Sequence, residues 1–151
     1  PLVGVFADQR TYTTNGGPAV ASAWTNRALN TTLANSINAT LAADQITLPA
    51  GTYFIDAAIP FKNTGSTATR LVNASNVVLL EGINTAYTAG VVADADLTVL
   101  SYIRGVITLS SPTAIRIQYF AASGGVGYNL GQASSDAGFN QYTTISIRKL
   151  N

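Results

Sequence analysis

The amino-acid sequence predicts an all-β protein: an antiparallel two-sheet sandwich formed as a single domain over residues 1–151. Three observations carry that expectation. Short apolar, Thr-rich runs are separated by clusters of Gly, Asn, Ser and Pro, the punctuation of strands and turns. The clearest runs alternate with a period of two, as strands with two distinct faces do. Only residues 19–32 hold enough Ala and Leu to compete as a helix, and their Asn, Thr and Trp favour a strand or an irregular ribbon instead. The chain is long enough to bury roughly two thirds of its unfolded surface around one core.

In chain order, strands are expected at residues 3–9, 45–48, 52–60, 70–80, 97–109 with a break, 114–121 and 142–150. Residues 44–61 read as a hairpin, because Pro49 pre-sets the first turn position and Gly51 supplies the conformation that lets the next strand start. That strand places Tyr53, Ile55, Ala57 and Ile59 on one face and Phe54, Asp56 and Ala58 on the other. Both faces therefore carry an aromatic ring. An antiparallel strand normally buries one face and wets the other, so either a loop of its own chain or a second subunit covers Phe54. In residues 101–109, Ile103, Gly105, Ile107 and Leu109 share the face that reads as core, while Tyr102, Arg104, Val106 and Thr108 share the other. The last strand alternates as clearly, with Ile145 and Ile147 opposed to Thr144, Ser146 and Arg148.

Composition removes several classes of function. Charged residues make up 10% of the chain, against about 25% in an ordinary soluble domain. Thr, Asn, Ser, Ala and Gly must then form much of the surface. A net charge of +1 from scattered Lys and Arg offers no basic stripe to follow a phosphate backbone, so no nucleic-acid partner is expected. There is no cysteine, hence no disulfide, thiolate zinc site or cysteine nucleophile. No apolar stretch approaches the roughly 20 residues that span a bilayer, and PLVGVFADQR lacks the pattern of a signal peptide. Pro1 either follows a removed initiator Met or marks a cut from a longer chain, and the cut is expected.

Few motifs carry chemistry. GGVGYNLG, residues 124–131, has its last glycine one residue late for a dinucleotide fingerprint and no strand-to-helix unit around it, so a flexible loop is expected. Asp94, Asp96 and Asp136 either contribute oxygens to a calcium ion or sit in solvated turns; a calcium loop needs more ligands at fixed spacing. Trp24 either stacks on a sugar at the surface or plugs one end of the sandwich. With no histidine and seven dispersed carboxylates, no catalytic dyad or triad can be named, and no catalysis, metal or cofactor is expected.

The ordered blocks ASAWTNRALNTTLANSI, DQITLPAGTYFIDAAIPFKNTG, SYIRGVITLSSPTAIRI and YTTISIRKL resemble the trimeric jelly rolls of the tumour necrosis factor and complement globular-head superfamily. The segment W-x-x-R-x-L-N (Trp24, Arg27, Leu29, Asn30) followed by ITLPAGTYFIDAAIP is similar to C-terminal domains of bacteriophage fibre and other virion proteins. The resemblance implies a homotrimer in which Phe54, Asp56, Tyr102 and Arg104 lie at the subunit interface, with Tyr102 near the threefold axis. It further implies a virion structural protein: a fibre knob, a tail or head fibre tip or a capsid decoration, with other virion proteins and a host-surface glycan or receptor as partners. A secreted receptor-binding ligand of the cytokine or complement type is the alternative, and a monomeric carbohydrate-binding module a third. Because no strong ligand set is present in the sequence, adding a chelator should leave the melting temperature unchanged. A clear drop in a calorimetric scan would place an ion at Asp94, Asp96 or Asp136.

Overall fold

The computed structural model describes residues 1–86, 97–134 and 138–151. Among these the chain forms eleven strands and no helix: β1 (Val3–Thr11), β2 (Thr25–Asn26), β3 (Thr31–Asn35), β4 (Thr40–Ala42), β5 (Gln45–Leu48), β6 (Gly51–Lys62), β7 (Thr67–Asn73), β8 (Val78–Glu81), β9 (Thr98–Leu109), β10 (Thr113–Ala121) and β11 (Phe139–Lys149). They make two antiparallel sheets. The first has the order β3, β1, β11, β6, β9; the second has the order β4, β5, β10, β7, β8, with β2 alongside β10.

The core follows from alternation. Tyr53, Ile55, Ala57, Ile59 and Phe61 of β6 all point inward and are fully buried, where they meet Leu71 of β7 and Ile115, Ile117 and Tyr119 of β10. Phe61 and Tyr119 join the two layers in an edge-to-face contact, with centroids 5.8 Å apart. Each fully buried side chain of this size stabilises the sandwich by about 1.5–3 kcal/mol. The Tyr53 hydroxyl donates to the carbonyl of Pro49 at 2.9 Å, which ties the hairpin turn back onto the strand it starts.

Residues 19–30 form the irregular ribbon that their composition favours, paired with the second sheet through β2 and a single bridge between Ala21 and Ala121. Arg27 and Leu29 turn inward from it and are buried. The Arg27 guanidinium donates to Thr143 Oγ1 at 2.6 Å and to the carbonyls of Pro60 and Leu130, and lies 5.6 Å from the centre of the Phe61 ring. Burial lowers its pKa to about 10, so the group stays charged at neutral pH. Asn30 ends the ribbon in the β1 register shift between Ala7 and Gln9. Its amide accepts from Gln9 N at 2.9 Å and donates to Gln9 O at 2.9 Å and to the buried Asp8 at 3.2 Å.

Two expectations from the sequence are corrected and a third is refined. Residues 70–80 are not one strand but parts of β7 and β8, because Asn73 Oδ1 accepts from the amides of Ser75 (2.9 Å) and Val77 (3.0 Å) and closes a turn. β9 runs without a break through Gly105. A Cβ there would lie 2.6 Å from Leu80 Cδ2, so the leucine of β8 fills the space a side chain would have taken. The segment GGVGYNLG is a loop, as expected, but an anchored one: Gly125, Val126 and Gly127 are exposed, while residues 129–131 are buried. Asn129 is fully buried, donates to the carbonyls of Lys62 (2.9 Å) and Asn63 (3.3 Å) and accepts from Val126 N at 2.8 Å. Gly124 approaches the ribbon so closely that a Cβ would stand 2.1 Å from the carbonyl oxygen of Ala19.

Asn129 Oδ1 also accepts from Ala19 N at 3.4 Å, so one side chain holds its own segment, residues 62–63 and the ribbon together. Asn129→Ala should leave these buried groups unpaired and cost about 2–4 kcal/mol, read as a lowered midpoint of urea denaturation. A loss well under about 1 kcal/mol would show that the segment is not fixed by this amide.

Candidate functional site

The outward face of the first sheet is built by register. Ala58 of β6 lies between Thr144 of β11 and Tyr102 of β9; Asp56 lies between Ser146 and Arg104; Phe54 lies between Arg148 and Val106. β1 extends the three rows with Ala7, Val5 and Val3. Phe54, Asp56, Tyr102 and Arg104 thus share one face, two strands wide.

Their chemistry is pairwise. Arg104 Nε donates to Asp56 Oδ1 at 2.8 Å, and the guanidinium lies 4.8 Å from the centre of the Tyr102 ring. The hydrogen bond to Asp56, helped by its charge, raises the Arg104 pKa above its ordinary value. Both partners are solvent-accessible, so the pair fixes side-chain positions more than it stabilises the subunit. Arg148 covers Phe54, its guanidinium 5.5 Å from the ring centre. Beside them is a shallow pocket of about 230 Å³ lined by Val3, Phe54, Asp56, Ser146, Ile147 and Arg148, all strand residues. Among the described residues, then, an arginine and not a loop lies over Phe54. Leu100 and Val106 of β9 remain 46% and 54% exposed on the same face.

Trp24 occupies the other layer. It lies outside the sandwich, on the outward side of the second sheet, and does not plug an end. Its ring sits 3.9 Å from the Arg70 guanidinium and 5.8 Å from the Phe120 ring. The carboxylates are dispersed. Asp8 is held by Arg10 and Asn30, Asp44 accepts from Leu29 N, and Asp56 is paired with Arg104. Among the described residues no group of three His, Cys, Asp or Glu side chains could hold a metal ion. Asp94, Asp96 and Asp136 lie outside the described residues.

Alternation alone assigns Tyr102, Arg104 and Val106 to one face. The cover that Arg148 gives Phe54, and the seat that Arg70 gives Trp24, depend on which strands become neighbours, and no local signal marks either.

No protein-family model and no curated protein matches the sequence. Solved structures do. The globular domain of a zebrafish complement 1qA protein aligns over 100% of this chain and 98% of its own, with 14% identity and a TM-score of 0.62. Murine APRIL at pH 8.0 aligns over 99% and 98%, with 12% identity and a TM-score of 0.64. The fold is a jelly roll of the tumour necrosis factor and complement globular-head type. A second murine APRIL structure, at pH 5.0, aligns over 98% and 99% of the two chains, with 12% identity and a TM-score of 0.59. Such identities establish the jelly roll and leave its partners open.

Because Trp24 is the one tryptophan, its emission reports the contact with Arg70. Arg70→Ala should shift that emission to longer wavelength and lower stability by about 1 kcal/mol. An unchanged spectrum would mean that the ring is not seated on the guanidinium in solution.

Proposed function

We propose that the chain is a non-catalytic, homotrimeric recognition head. Its first sheet meets two further copies around a threefold axis, and its second sheet faces outward to a partner. The observation that carries this reading is the outward face of the first sheet. A layer whose inner side is a finished core presents Phe54, Tyr102, Leu100 and Val106 on its outer side. An apolar face of that kind, crossed by the Asp56–Arg104 ion pair, marks an association surface, and closed symmetry lets one patch satisfy every copy. The fold shared with a complement globular domain and with APRIL supports a receptor-binding or target-binding ligand over the other readings. The virion reading, a fibre knob or capsid decoration at the surface of a bacteriophage particle, rests on the resemblance of the segment holding Trp24, Arg27, Leu29 and Asn30.

Light scattering should give a mass of three times 15.7 kDa at micromolar concentration, and a stable single-subunit mass would overturn the trimer. Tyr102 gives the sharper result. Tyr102→Asp should bring three carboxylates together in a desolvated place and yield monomer or aggregate on size exclusion. Tyr102→Phe should keep the trimer, with a loss of at most about 0.5–1.5 kcal/mol per chain. An intact trimer for Tyr102→Asp would remove this residue from the interface.

A further inference from the structure

The outward side of the second sheet carries a second surface, and its parts are fixed in a way a bare sheet face does not require. Trp24 has one ring face on Arg70 and a tilted contact with Phe120, 39% of the residue is exposed, and among the described residues no cation or second ring lies on the opposite ring face. Arg70 is itself held in place. Its Nε and Nη2 both donate to Oε1 of the buried Gln118, at 3.0 Å and 2.8 Å. Gln118 in turn donates to Asn76 Oδ1 at 2.9 Å, and the same oxygen accepts from Arg116 Nη2 at 2.7 Å. Two guanidinium groups are thereby anchored through neutral oxygens. Among the described residues neither has a carboxylate partner. Glu81 stands opposite Arg70 in the β7–β8 register, exposed and not ion-paired with it.

We infer that this patch binds an acidic saccharide, with the apolar face of a pyranose ring stacked on Trp24 and its carboxylate set against Arg70 and Arg116. Each half of the surface answers one half of that ligand. The free ring face suits the C–H side of a sugar, and the ring is already held flat, so little ordering remains to be done on binding. Guanidinium groups take carboxylates as charge-assisted hydrogen-bond partners; with the Nε and Nη2 of Arg70 on Gln118 and the Nη2 of Arg116 on Asn76, the Nη1 of each is the donor left for one. A neutral sugar would use the ring and leave both cations without a counter-charge. An acidic peptide would use the cations and leave the ring uncovered. Since the patch lies on the layer opposite Tyr102, the inference stands whether or not the chain is a trimer, and its failure is read separately from the mass measurement.

The probe is 3′-sialyllactose, titrated into the full chain at low ionic strength and followed by saturation-transfer NMR, with lactose and hexaglutamate as comparators. Binding of sialyllactose should exceed that of either comparator by about tenfold or more. Arg116→Gln should weaken it by about tenfold while leaving lactose unaffected. Glu81→Gln should tighten it by about two- to threefold by removing a like charge. Trp24→Phe should weaken both sugars together, and it keeps an aromatic ring on Arg70 should Trp24→Ala fail to fold. The inference is overturned by equal binding of lactose and sialyllactose, by hexaglutamate binding as well as the sugar, by unchanged affinity in Arg116→Gln, or by no binding at all.

Discussion

Twelve consecutive residue pairs, from Gly51 with Leu109 to Lys62 with Thr98, tie β6 to β9 without a bulge. Everything on the first sheet depends on that register. A slip of one residue would turn Tyr53, Ile55, Ala57, Ile59 and Phe61 outward and carry Phe54 and Asp56 into the core. The hydrophobic cost of such a slip is spread over a whole strand, so the register is strongly specified. It follows that Asp56 meets Arg104, and Phe54 stands beside Val106, as by-products of core formation. The outer face needs no stabilising interaction of its own to be ordered.

The second layer reaches order by a different route. The ribbon over residues 19–30 has little sheet pairing, so side chains fix it. Arg27 reaches inward to Thr143, Pro60 and Leu130, Asn30 fills the register shift of β1, and Trp24 lies down on Arg70. A buried arginine is costly to desolvate, and here carbonyl oxygens, a hydroxyl and an aromatic ring take the place of a counter-ion. These contacts specify where the ribbon lies more than they add stability.

Period-two alternation made β6 and the 101–109 part of β9 legible in the sequence, because the pattern there is set by the residue itself and its immediate neighbours. The turn at Asn73 was legible in principle, since an Asx residue before Ala, Ser and Asn marks a turn, yet it was hidden by the apolar runs on either side. The packing of the glycine segment was not legible. Asn129 finds its partners at Lys62 and Asn63, which no local pattern connects to it. The same holds for Trp24, whose place on the second sheet was set by the pairing of Thr25 and Asn26 with β10 and by the position of Arg70 on β7. Four residues of the candidate face were readable as sharing a face with one another in pairs. That the two pairs are neighbours needed the β6–β9 register.

The place of β11 in the first sheet has a consequence in time. β11 lies between β1 and β6, so it bridges a half-sheet of β3 and β1 to a half-sheet of β6 and β9. As a chain is synthesised, those halves exist first, and the strand that unites them is translated last of the eleven. Pairing of sequence-distant strands is slow because loop closure precedes its reward. The first sheet, and with it the face that carries Phe54 and Tyr102, is therefore complete only once β11 has paired with both halves.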